Sequence, residues 1–342
     1  MANTPYAPAL TRTWWAGTDA NLDIHIEAYE GEIEGSFRVS SVFRATGLTN
    51  FKSVANQTNA YRGDRIGGVF VRGRTSGQTL DPSRIINDKY LIEVKFTSYV
   101  RTPFDWQDEW TSPDFMAEYS AEHSSAHAKM FDLAHMIKLI HAGEWKAPAD
   151  LAGKAGAFAF KDGITYTATG LNAAATDEAK AEVLSKWHKA VVTEFIKRDI
   201  AMSADEFITL IHPDWFSVLL EHKKLLNLDY KAPNGNEYAQ RRIATMNGST
   251  IVEMNRFPVA GDATTDNHPA SVLGAEFTVT AAQAKSKMIV FLPSKTLVTV
   301  EAKGMTVRKW DSNENFNSVL DSYQMYTVGI KRGDACAVIR EE

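Results

Sequence analysis

The chain has 342 residues, 44% of them hydrophobic and 23% charged, with a formal net charge of -5 and one cysteine, Cys336. That balance is the composition of a soluble globular protein long enough for two lobes, and it excludes a disordered or low-complexity chain. It also argues against a dedicated nucleic-acid reader, an intramolecular disulfide and a membrane span, since apolar runs such as 288–292 fall far short of the roughly 18 to 20 residues a bilayer requires.

Residues 1–20 are rich in Thr, Ala and Pro, hold Trp14 and Trp15, and read as an irregular arm. Two adjacent tryptophans make sense there if the arm docks on a surface, where each buries a large apolar area. Residues 1–10 lack a basic region followed by an apolar core, so no signal peptide is predicted. Residues 22–29 fit a strand or a short helix, and the reading leans to helix.

From 49 to 84 the chain is polar, contains Gly63, Gly67, Gly68, Gly73 and Gly77, and has one short apolar piece at 69–71. This predicts a long two-stranded excursion with little core of its own. Residues 90–100, rich in β-branched and aromatic side chains, predict a strand. Ser112, Pro113 and Asp114 then supply an N-cap, a first helical position and a first-turn acid. Phe115, Tyr119, Ala126, Met130, Leu133, Ile137 and Ile140 recur at helical spacing and Gly143 offers a C-cap, so a helix over 113–142, about 45 Å long, is expected.

The stretch 147–175 predicts short strands and loops, and 177–198 a second helix. A buried-type strand is expected at 207–211, and a third helix from Pro213 to about 226. Strands at 251–254, 288–301 and 325–339, with a turn at 266–269, complete an α+β chain without regular strand-helix alternation.

His123 and His127 lie four apart on the long helix, and two imidazoles on one face can share a metal. Here the acid precedes the first histidine instead of standing between the two, so the simpler expectation is an exposed, polar helix face. His135 and His141 fall near the helix C-terminus, where positive charge is favoured. Cys336 lies in a strand-like run and reads as a small hydrophobe. There is no phosphate loop, nucleophile elbow or paired-cysteine zinc site, and no catalytic, cofactor or metal residue is nominated. The excursion is basic through Lys52, Arg62, Arg65, Arg72, Arg74 and Arg84, whereas Asp105, Asp108, Glu109, Asp114 and Glu118 crowd the approach to the long helix. Complementary patches of this kind suit self-association.

Residues 29–37 (aromatic-x-Gly-Glu-aliphatic), 68–75 and 114–120 carry a resemblance to the major capsid protein of tailed bacteriophages, podovirus type, with the Hong Kong 97-type fold. The order of parts is similar over nearly the whole chain. The resemblance implies an N-terminal arm (1–50), an extended loop (51–94), a peripheral domain with a spine helix (95–145), an axial domain (146–290) and return strands of the peripheral domain (291–342). It further implies hexamers and pentamers of an icosahedral head around double-stranded DNA, assembled in the bacterial cytoplasm; nothing in the sequence identifies the lysine, asparagine and glutamate set that cross-links some relatives, so non-covalent assembly is expected. A scaffolding protein, a portal protein at one vertex and an optional decoration protein would be its partners, with weak, non-specific DNA contact, no cofactor and no membrane. Inter-subunit contacts are expected at Trp14, Trp15, Arg62, Arg65, Arg72, Arg74, Asp105, Asp108, Glu109, Asp114 and Glu118. The competing readings are an encapsulin-like nanocompartment shell and a metal-dependent enzyme using His123 and His127.

Overall fold

In a computed structural model of the chain, the described residues are 41–55, 58–69, 71–80, 82, 85–107, 116–152, 160–222, 243–259, 268–312 and 316–342. Trp14, Trp15, the helix expected at 22–29, and the acids Asp108, Glu109 and Asp114 lie outside them.

A short helix, α1 (Val42–Thr46), opens the described chain, with Ser41 Oγ accepting from the Arg44 amide at its start. Strand β1 (Asn50–Ser53) follows, then β2 (Ala60–Ile66) and β3 (Asn87–Glu93), which form a separate antiparallel hairpin. The strand expected over 90–100 is in fact two: residues up to 93 pair with β2, the Val94 amide carrying that register one step further to the Asn59 carbonyl at 2.8 Å, and residues from 98 on pair with a different strand. The chain then enters another sheet as β4 (Ser98–Asp105).

The long helix α2 (Met116–Gly143) ends at the expected glycine, for a different reason. Gly143 is its last helical residue, and a Cβ there would sit 2.5 Å from Val338 Cγ2, so the position needs close approach to a strand and not a left-handed backbone. After α2 come β5 (Ile164–Thr167), the Thr176-capped α3 (Asp177–Lys197), β6 (Ile208–Ile211) and α4 (Pro213–Leu219). α4 stops short of the expected 226 because the Glu221 and His222 amides tighten back onto the Val218 and Leu219 carbonyls.

The remaining strands are β7 (Thr245–Met246), β8 (Ser249–Glu253), β9 (Ser286–Phe291), β10 (Leu297–Ser312), β11 (Asn317–Ile330) and β12 (Cys336–Arg340). Pro293 breaks the expected 288–301 strand by starting a one-turn helix, Pro293–Thr296, and a 3-10 turn at Gly333–Ala335 breaks the 325–339 strand. At the expected 266–269 turn, His268 caps a short helix, Pro269–Val272.

Two larger sheets result, one ordered β1-β10-β11-β4 and the other β5-β12-β9-β6-β8-β7. The second has both faces covered, and the near-continuous apolar run of β9 follows from that. Ile289, Phe291 and Val338 face the C-terminal half of α2, while Met288, Val290 and Ile339 face α3 and α4. The C-terminal half of α2 is therefore buried nearly all round, packed also on Leu297, Tyr326 and Val328 of the first sheet.

Candidate assembly surfaces

The β2–β3 hairpin has two unlike faces because side chains alternate along a strand. Tyr61, Gly63 and Arg65 of β2, with Asp88, Tyr90 and Ile92 of β3, turn toward the body, whereas Arg62, Asp64, Ile66, Lys89 and Leu91 face outward. The base of the hairpin rests on a small apolar cluster of Val54, Ile92, Val94, Val298 and Val300. Gly329 is required there, since a Cβ would lie 2.3 Å from Ile92 Cδ1.

Beyond Ile66 the described residues up to 86 form no strand, and residues 71–80 are all exposed. Arg72 and Arg74 belong to this stretch. The Arg74 Nε donates to the Gln78 carbonyl at 2.6 Å, which shapes the turn around Gly77, a glycine with φ of 89°. The segment is less polar in effect than its composition suggests. Val71 is 100% exposed and Leu80 78%, with Val69, Ile85 and the outward Ile66 and Leu91 also uncovered. The 69–71 piece is the one local apolar run here; the wider signal is scattered aliphatic residues with no periodic partner able to bury them.

Arg65 stands apart from the other arginines. Its guanidinium donates within the chain to the carbonyls of Lys331 and Ile330 and to Asp88, and lies over the rings of Tyr90 and Trp145. Of the acids, Asp105 is exposed at the end of β4 and accepts from the Gln107 amide at 2.8 Å, while Glu118 is half-buried on the first described turn of α2. Nearby, Arg101 makes a two-point contact with Asp321, whose carboxyl is held below its usual range by that guanidinium.

The expected exposed face around His123 and His127 is buried instead, at 5% and 4% exposure. α2 crosses β4 and β11 there, and a single hydrogen-bonded chain joins them. Gln324 Nε2 donates to His127 Nδ1 at 3.1 Å, so the proton of that ring sits on Nε2 and goes to Ser322 Oγ at 3.1 Å. The Ser322 hydroxyl then donates to His123 Nδ1 at 3.0 Å, and His123 Nε2 donates to Thr102 Oγ1 at 2.7 Å. Every ring nitrogen is occupied by a neutral partner, and burial pushes both pKa values down. Among the described residues no group of three or more His, Cys, Asp or Glu could hold a metal.

His135 is likewise not a positive group at a helix end. It is fully buried between the Phe131 carbonyl and Thr299 Oγ1, with its pKa lowered to about 4. Burial also lowers the pKa of His141. The Cys336 thiol is buried, donates to the Leu139 carbonyl and is pushed well up by desolvation. A thiol in that state is a poor nucleophile.

No family model matches the chain, and no curated protein does. Solved structures do. The mature capsid of bacteriophage PhiM1 shares 43% identity over 99% of both chains, with a TM-score of 0.80. The chain belongs to the major capsid proteins of tailed bacteriophages. The cyanophage P-SCSP1u capsid, at 14% identity over 92% of each chain and a TM-score of 0.72, shares the fold. So does Mycobacterium phage Che8, at 14% identity over 92% of this chain and 96% of the other, with a TM-score of 0.59. The capsid fold is the α+β Hong Kong 97 type. The chain is accordingly a structural component of an icosahedral head. For such a protein the functional site is its contact surface. No described helix is long and apolar enough to cross a membrane.

Proposed function

We propose that this capsid protein self-assembles into hexamers and pentamers that close as an icosahedral shell around double-stranded DNA. The likeness to the PhiM1 mature capsid over 99% of both chains carries the reading. Within the capsomer, the 67–86 loop of one subunit lies across the approach to α2 of the next. Arg62, Arg72 and Arg74 face Asp105, Asp108, Glu109, Asp114 and Glu118, and Val71 and Leu80 lose their exposure in the contact. Arg65, with its donors engaged inside the chain, serves the contact indirectly. Trp14 and Trp15 gain burial on the shell surface that receives the arm.

The division into arm (1–50), loop (51–94), peripheral domain (95–145 with 291–342) and axial domain (146–290) goes with this reading, although β12 pairs with β5 and β9 in the six-stranded sheet. A scaffolding protein, a portal at one vertex, a decoration protein and weakly bound DNA are its proposed partners. Assembly is non-covalent and the protein has no enzymatic role.

The test is expression of the chain with and without its scaffolding protein, followed by sizing and negative-stain electron microscopy. Closed shells of megadalton mass are expected in at least one condition. Only monomers or small oligomers in both would overturn the proposal.

A further inference from the structure

The hairpin that carries the loop meets the body at two places of different chemistry. Its base is seated in the apolar cluster at Val54, Ile92 and Val94. Four residues further along β2 from Tyr61, the partner of Ile92, and roughly 13 Å away at strand spacing, Arg65 forms the second contact, one pair before the register ends at Ile66 opposite Asn87. Between the hairpin and the segment 273–276 lies a cavity of about 700 Å³, lined by Arg65, Tyr90, Phe96, Lys138, Leu273 and Glu276 among others. The hairpin therefore spans open space between its two points of contact, from Glu93 and Ile92 at the base to Arg65.

One guanidinium connects four elements there. Nη1 pairs with Asp88 across the hairpin at 3.0 Å, while Nε and Nη2 reach the carbonyls of Lys331 and Ile330 at 2.8 and 3.2 Å, where β11 ends. Tyr90 of β3 and Trp145, just after α2, give it aromatic faces at 4.5 and 5.4 Å. The side chain is only 9% exposed. A planar fork with donors aimed at two adjacent carbonyls fixes direction as well as distance, which a lysine ammonium cannot reproduce.

We propose that Arg65 is a positioning residue that latches the loop-bearing hairpin at one angle over the body and so sets the curvature at which neighbouring subunits join. The inference rests on the shell reading for its second half only. With the latch removed, the apolar base becomes a pivot, the cavity gives the hairpin room to swing, and subunits offer their loops at mixed angles.

Hydrogen exchange on unassembled wild-type, Arg65→Met, Arg65→Lys and Lys89→Met subunits tests the latch. Lysine 89 faces outward on β3 and serves as control. Amides of 60–66 and 87–93 should exchange about tenfold faster in both Arg65 variants, as expected for losing charge-assisted hydrogen bonds. Those of α2 and the six-stranded sheet, and the Lys89→Met hairpin, should match wild type. Hairpin exchange at the wild-type rate in Arg65→Met overturns the latch, as does a parallel rise throughout the body, which marks plain destabilisation. In assembly, Arg65→Met should give shells of mixed diameter where wild type gives uniform ones, and uniform shells from the variant overturn the link to curvature. Wild-type subunits that form no shells would refute the shell reading and leave the exchange result standing.

Discussion

At the residue scale, Asp132 shows how one buried carboxylate ties the start of the described chain to α2. Its oxygens accept from Ser41 Oγ at 2.6 Å and from the Val42 and Phe43 amides at 3.0 and 3.3 Å, and Phe43 stacks on His135 beside it. Desolvation raises its pKa, and the three donors oppose that rise. Truncating Asp132 to Ala strands those donors in a buried place, and a loss of about 2 to 4 kcal/mol is expected. Urea denaturation of the unassembled subunit measures it. Asp132→Asn keeps one acceptor oxygen and should lose less; an Ala variant as stable as wild type would refute this account. The residue was legible only as a polar position on a helix. Nothing in its neighbourhood of sequence announces a partner some ninety positions away.

At the element scale, α2 and α3 hold neutral imidazoles, and the pH dependence of folding follows. The pKa of His135 falls to about 4 and that of His188, buried against Thr209, Ser249 and Asn247, to about 3. An unfolded histidine titrates near 6.5, so below that pH the unfolded chain binds more protons than the folded one. The stability from these groups is whole above about 6.5 and falls as the pH drops toward the folded values, by about 2 kcal/mol each at pH 5. His123 and His127 shift in the same direction. The carboxylates with lowered values, Glu144, Asp162 and Asp321, act only below their ordinary range near 4, outside that window. Denaturation midpoints of the unassembled subunit should therefore drop between pH 7.5 and 5, with part of the drop lost in His135→Gln. A flat profile would contradict the burial of these rings.

The same elements show what sequence pattern can and cannot convey. The described part of α2 and all of α3 are legible because helical apolar spacing is a local signal. The strand expected at 90–100 divides in two because its first half pairs with β2 and its second with β11, distant partners that no local pattern distinguishes. The histidine face of α2 looked polar and solvated because Thr102, Ser322 and Gln324, which satisfy it, come from two other strands. Of the expected contact residues, Arg62, Arg72 and Arg74 could be read as exposed from a segment without core. The internal role of Arg65 depends on carbonyls that no sequence pattern reports.

At the scale of the whole molecule, the uncovered loop, with residues 71–80 all exposed, leaves surface to be buried by other copies. Exposed ion pairs contribute only about 0 to 1 kcal/mol each, but a closed symmetric array repeats every contact in every subunit. Reversing Arg72 and Arg74 to Glu should leave the subunit folded and slow or abolish shell formation by light scattering, and high salt should weaken wild-type assembly in the same direction. Reversing Asp108 and Glu109 to Lys should partly restore it. Normal shell yield from the Arg-to-Glu variant would remove the charged contact from the account.

The most direct measurement takes advantage of the single, buried cysteine. With Arg74→Cys and Glu118→Cys in one chain, a short bis-maleimide added to assembled shells links each loop to the helix it crosses. Denaturing gels should then show a ladder of covalent species ending at pentamer and hexamer, absent from unassembled subunits. Intact shells that yield monomer alone would contradict a loop reaching from each subunit to its neighbour's long helix.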